Sequence, residues 1–219
     1  MELPNNLISI NGGQVPTLEI FFMLTLLMLL PSIVIMMTSF LRIIIILSFT
    51  RTAIGVQQTP PNMVLVGMAI FLTLFIMNPV IQQIDTDAYQ PYKDGEITQE
   101  EALDKASVPM KEFMLKQTEV SALNLFTEAS DSEPVENPEE LSIITIVPAF
   151  VTSELKRAFT AGLLLYIPFL LIDIIVSSTL MSMGMIMLPP ATIALPFKLI
   201  LFVTVNGWEL LFASIIKSF

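Results

Sequence analysis

Two uncharged or nearly uncharged runs limit what this chain can become more than any other feature. Met63–Ile84 is 22 residues without a charge, and Ala158–Leu188 is 31 residues whose single charge is Asp173. A helix needs about 20 mostly apolar residues to cross a hydrocarbon layer roughly 30 Å thick, so each run suffices. Leu18–Leu41 is apolar apart from Glu19, and Ile43–Phe49 continues it beyond Arg42. A fourth segment follows Lys198 and carries Glu209, which makes it only marginally apolar. Only 14% of the 219 residues are charged, against about a quarter in soluble domains, and no soluble core of this size hides so much oil. The expected fold is an all-α membrane protein of about four long hydrophobic helical segments arranged as hairpins.

The composition also narrows the chemistry. Cysteine and histidine are absent, so no disulfide, thiol nucleophile, Cys/His zinc site or imidazole base is available. No Gly-rich phosphate loop or nucleophile elbow is present, and no spacing suits a metal or cofactor. The chain therefore reads as no enzyme, without cofactors. A net charge of −10 opposes nucleic acid, which requires a basic surface.

That charge is concentrated. Between Asp85 and Glu140 lie fifteen Asp/Glu and four Lys, and the rest of the chain is nearly neutral. The expected division is a tail at 1–17, a first hydrophobic helical hairpin at 18–84, an acidic insert at 85–140, and a second hydrophobic hairpin at 141–219. Pro31 is a candidate kink in the first segment, and Pro60–Pro61–Asn62 reads as a turn. The 1–17 tail lacks the basic stretch of a secretory signal, so the first oily segment is expected to be retained.

Inside the insert, Thr98 followed by Glu101 fits a capping box, in which hydroxyl and carboxylate satisfy free helix amides reciprocally. Pro109 suits a first helical turn. Met110, Phe113 and Met114 then recur at helical spacing and form an apolar face, a candidate for self-association between copies. Arg42 and Arg51 favour a cytoplasmic turn, which puts the insert outside. Lys156 and Arg157 then fall on the outer side, against that rule.

Two features carry the functional reading. Met181, Met183, Met185 and Met187 stand at every second position, beside Gly184 and the Pro189–Pro190 stop. On a helix they would scatter around the axis, whereas on irregular backbone period two aims them one way. Core filling is one outcome, and a loop lining an aperture is the other, since irregular backbone at membrane depth survives only inside protein or along a cavity. The second feature is charge within oil at Glu154, Asp173 and Lys198, where a structural ion pair competes with a proton relay. Glu154 and Lys198 are expected to pair with each other, within one subunit or between two.

The strings RTAIGVQQTPPNMVLVGMAIFLTLFIMNPV (51–80), DAYQPY (87–92), VPAFVTSELKRAF (147–159) and GMIMLPPATIALPFKLILFVTVNGWELL (184–211) resemble the FliP family of flagellar type III secretion export-gate subunits. The injectisome family SctR is the near relative, and DAYQPY and LPPATIALPFK match the flagellar branch better. The resemblance runs from about residue 18 to the end. It implies a homo-oligomer, a pentamer, joined by FliQ-like and FliR-like membrane subunits and other export-apparatus proteins. Together these make a gate through which unfolded export substrates leave the cytoplasm, with helical hairpins lifted largely out of the ordinary bilayer plane. It places a methionine triplet on Met185, Ile186 and Met187, the middle position departing from the usual pattern, and a membrane-buried acid and base on Glu154 and Lys198. The localisation implied is the bacterial inner membrane, at the flagellar basal body.

The reading is a core subunit of the flagellar protein export gate, its constriction built from Met183, Met185, Ile186 and Met187. The alternatives are a small ion or solute transporter using Asp173 or Glu154, and a structural scaffold of the basal body.

Overall fold

A computed structural model describes residues 7–10, 13–56, 58–130, 138–185 and 187–219. The chain is an all-α membrane protein preceded by one short antiparallel hairpin, β1 (Leu7–Ile10) and β2 (Gly13–Pro16), with Leu7 opposite Pro16. Nine α-helices follow among the described residues: α1 Thr17–Met36, α2 Phe40–Ile54, α3 Asn62–Ile84, α4 Gln90–Lys93, α5 Gln99–Gln117, α6 Val120–Ala129, α7 Ile143–Ser182, α8 Pro190–Thr204 and α9 Gly207–Lys217.

The four long segments expected from hydropathy resolve differently. Among the described residues two helical rods are long and apolar enough to cross a membrane, Asn62–Lys93 and Ile143–Ser182. A third span exists only if α8 and α9, bent by 62° at their junction, count together. The bend falls at Asn206, whose φ of 52° is left-handed backbone that an asparagine tolerates. The first oily block is cut at Met37–Ser39, between α1 and α2. Its α1 runs on through Pro31, the candidate kink. In the other direction, α3 continues past Ile84 through a π-helical stretch, Asp85–Tyr89, into α4, so one 32-residue rod joins oily and acidic sequence.

α7 organises the rest. Forty residues at about 1.5 Å each make it roughly 60 Å long, about twice the hydrocarbon thickness. Its N-terminal third packs on α5 and α6, and its middle packs most extensively on α2. The α2–α7 approach is close because Gly162 offers no side chain: a Cβ there would lie 2.6 Å from Cγ of Phe49. Small residues at helix crossings serve this purpose in membranes.

Three apolar clusters result. Ile43, Ile46 and Leu47 of α2 meet Leu65 and Ala69 of α3, Ala158 of α7, and Leu211 and Ile215 of α9. Ala53 and Ile54 meet Phe169 and Phe202. Met114 of α5 meets Leu141, Ile146 and Phe150. Elsewhere the helices stay oily outside: Phe21, Met28, Phe71 and Ile175 are all exposed, as lipid-facing or subunit-facing side chains must be.

The acidic segment shows its local code. Thr98 Oγ1 accepts from the Glu101 amide at 3.3 Å, and Glu101 Oε2 accepts from the Thr98 amide at 2.8 Å, completing the capping box. These bonds hold the Glu101 carboxyl below the usual carboxylate range. Pro109, expected in a first turn, lies inside α5, because the capping box starts that helix ten residues earlier, at Gln99.

Candidate functional site

α7 ends in a turn that divides the methionines, so the expectation of one irregular stretch carrying all four is not met. Met181 is still helical, and Met183 is the C-cap. Gly184 then takes φ 75°, a left-handed conformation that glycine adopts without a Cβ penalty. Its amide donates to Met181 O at 3.0 Å, and the Met185 amide donates to Leu180 O at 3.0 Å. These are the two bonds of a Schellman motif, which satisfies helix-end carbonyls and turns the chain out of the helix. Pro189 and Pro190 start α8 four residues later, with Pro190 at the first helical position, where its missing N–H is harmless.

The side chains of this turn are uncovered. Met183 and Met185 are exposed, and Met187 is 98% exposed. Ile186 lies outside the described residues. The turn stands between two apolar helices: Met183 still has helical backbone, its amide bonded to Thr179 O, and Met185 and Met187 stand on the non-helical stretch that follows.

The buried charges pair differently from expectation. Within one chain Glu154 does not meet Lys198. Its partner is Arg42, which donates from Nε to Glu154 Oε2 at 2.8 Å and from Nη2 to Oε1. Both residues are essentially without solvent contact. Arg42 Nη2 also donates to Gln117 Oε1 at 3.0 Å, and Nη1 donates to the backbone oxygen of Ser218 at 2.9 Å. The guanidinium stacks 3.8 Å above the Phe219 ring centroid. Gln117 Oε1 accepts as well from Arg157 Nη1 at 2.7 Å, and its Nε2 donates to Phe219 O at 3.1 Å. Helices α2, α5, α7 and α9 thus meet at one planar cation. A guanidinium suits this place because its fixed fork serves a carboxylate and two further acceptors at once.

Lys198 has its own partners. Its Nζ donates to Asp173 Oδ2 at 2.6 Å and to Ala53 O at 3.2 Å. Ala53 belongs to the last turn of α2, whose carbonyls lack helical donors, so the ammonium both neutralises Asp173 and caps a helix end. Gly55, with φ 89°, terminates α2 beside it.

The apolar face at Met110, Phe113 and Met114 folds back onto its own chain. Met114 is 0% exposed in the α5–α7 cluster and therefore unavailable to a neighbouring copy. Phe113 lies 5.9 Å from the Phe150 ring and stacks on Phe219 at 6.2 Å, while Met110 is half-buried. An apolar stripe inside a small acidic segment satisfies itself first against the nearest oily helix, which is α7.

Sequence reading missed the centre of the first network. It treated Arg42 as an orientation marker. The signal was present: an arginine flanked by Leu18–Leu41 and Ile43–Phe49 must find an acid or leave the oil. Gln117 and Ser218 carried no comparable signal.

The chain matches the model of the FliP family over residues 23–215. It is 49% identical over 211 residues to the flagellar biosynthetic protein FliP of Pectobacterium carotovorum subsp. carotovorum, covering 95% of this chain and 82% of that one. Identity to the Bacillus subtilis (strain 168) protein of the same name is 48% over 203 residues, 93% of this chain and 92% of the relative. The Borreliella burgdorferi protein of that name is 44% identical over 218 residues, 98% of this chain and 86% of the relative. A family match across most of the chain, joined to long apolar helices with buried ion pairs, leaves one assignment: the chain belongs to the FliP family.

Proposed function

We propose that this chain is a wall-forming subunit of the flagellar protein export gate, and that the turn from Met183 to Met187 forms its constriction. The observation that carries this is the uncovered methionine turn, held out from α7 by the Gly184 Schellman motif and stopped by Pro189–Pro190. The family supports it, since the relatives carry the name of a flagellar biosynthetic protein. In the proposed assembly several copies, five by family resemblance, join FliQ-like and FliR-like subunits in the bacterial inner membrane, with the acidic segment on the extracytoplasmic side. Unfolded export substrates are the cargo.

Thioether chains suit such a seal. They are flexible and polarizable, and their contacts are worth about 0.1–0.2 kcal/mol per atom pair, so they yield and re-form piecemeal around a moving polypeptide. The rival transporter reading loses support from the pairing found above. Glu154 and Asp173, its candidate coupling acids, are already neutralised by Arg42 and Lys198.

Replacing Met185 and Met187 together with alanine tests the proposal. Assembly should persist and export should partly continue, while small-solute entry or ion conductance across the membrane rises. An assembled variant as tight as the parent would show that these side chains do not seal anything.

A further inference from the structure

A groove of about 960 Å³ runs along the surface shared by α2, α7, α8 and α9. Its chemistry changes along its length. One end is lined by Arg42, Lys156 and Arg157, with Glu119 the one acid among the lining residues. The remainder is apolar, with Ala161, Leu165, Pro168 and Phe169 on one wall and Leu210 opposite.

We infer that this groove holds one anionic phospholipid, its phosphate at Arg157 and Lys156 and an acyl chain along α7 toward Phe169. Three observations favour that occupant. First, the polar end is positive in a chain whose net charge is −10. Arg42 is taken up by Glu154, and Lys156 is bound to Glu119 at 2.6 Å. Arg157 donates to the neutral Gln117 and shares the field of the Glu154 carboxylate with Arg42, so three cations stand against the two acids Glu119 and Glu154, and one positive charge is left in excess to attract an anion.

Second, the length fits. From Arg157 to Phe169 is twelve residues of helix, roughly 18 Å at 1.5 Å each, close to half of a hydrocarbon layer about 30 Å thick. A cation at one end and oil for one leaflet's depth match a headgroup and its chain. Third, the walls suit a chain that needs no hydrogen bonds. They come from helices whose backbone amides are bonded internally. Of the lining hydroxyls, those of Thr50, Thr160 and Ser218 already donate to the carbonyls of Ile46, Lys156 and Ile215. A peptide strand would find no main-chain partners there, whereas an acyl chain requires none.

The lone tryptophan reports on this place. Trp208 follows the lining residue Gly207 and packs edge-on against Phe202, another lining residue, at 5.2 Å. The full chain, purified and placed in phosphatidylcholine vesicles, would receive equal mole fractions of acyl-brominated phosphatidylglycerol or acyl-brominated phosphatidylcholine, and Trp208 quenching would be followed. The expected result is about five-fold tighter apparent association for the anionic lipid, equivalent to about 1 kcal/mol for one near-surface cation. Arg157→Gln should bring the two lipids level, and Arg157→Lys should retain the preference. Ala161→Phe keeps the charge but fills the groove, and should abolish the preferential quenching, which covers the case in which Arg157→Gln fails to fold. Equal quenching by both lipids in the parent would overturn the inference, as would a preference that survives both Arg157→Gln and Ala161→Phe. Absence of quenching by either lipid in the assembled complex would also overturn it, because a protein neighbour would then fill the groove.

Discussion

Arg42 of α2 and Glu154 of α7, 112 positions apart, form a two-pronged ion pair with essentially no solvent access. The pair ties the first hydrophobic block to the second, and Gln117, Arg157 and the Ser218–Phe219 backbone complete its hydrogen bonding. Taking two charges out of water is costly, so this contact secures the arrangement of helices only while both members are present.

Glu154→Ala should therefore leave a buried guanidinium uncompensated, at a cost of about 3–5 kcal/mol. Thermal unfolding in mild detergent should show a large loss. Replacing both charges with uncharged residues of similar size, Arg42→Met with Glu154→Gln, should be milder than either single change. Additive losses in that double mutant would mean that the two charges act independently.

Lys198 and Asp173 should behave as a second coupled pair, with an asymmetry. Lys198→Met strands Asp173 and also uncaps the Ala53 carbonyl at the end of α2. Asp173→Asn leaves the ammonium its Ala53 bond and keeps a neutral acceptor. The lysine change should destabilise more, by about 1–3 kcal/mol for the acceptor left unpaired. Equal effects in a melting comparison would assign no role to the Ala53 contact.

Gly162→Ala should force apart α2 and α7, because the new Cβ would fall 2.6 Å from the Phe49 ring. Overpacking of this kind costs about 1–3 kcal/mol. Phe49→Leu should recover part of the loss in the double variant, read as detergent stability or accumulation in membranes. No recovery would indicate that the two helices separate for another reason.

The capping box predicts a pH dependence confined to the start of α5. Glu101 has its carboxyl pK lowered by bonds to Thr98, so its stabilisation is complete above the ordinary carboxylate range. It declines as pH falls through the lower, folded-state value. Amide exchange corrected for intrinsic rate should show the first turn of α5 losing protection in mild acid, and Glu101→Gln should flatten that response. A first turn equally protected across the acid range would show that the carboxylate contributes nothing.

Much of this protein is readable from local sequence because local physics decides it. Uninterrupted apolar runs set the membrane class, since the bilayer demands internally bonded helices. Thr98 and Glu101 start α5 through bonds three residues apart, and Gly184 with Pro189–Pro190 breaks the chain where the methionines lie. What tertiary structure alone decided is which distant groups meet. Glu154, Asp173 and Lys198 are marked by sequence as charges in oil, and Arg42 only as a sign of orientation, yet two acids and two bases allow more than one pairing. The choice rests on α2 packing along α7 through Gly162, which sets Arg42 against Glu154 and leaves Lys198 to Asp173 and Ala53. Met114 is the same lesson for apolar groups. Its helical spacing with Met110 marks a face that must be covered, but only the fold of α5 onto α7 determines that its own chain covers it.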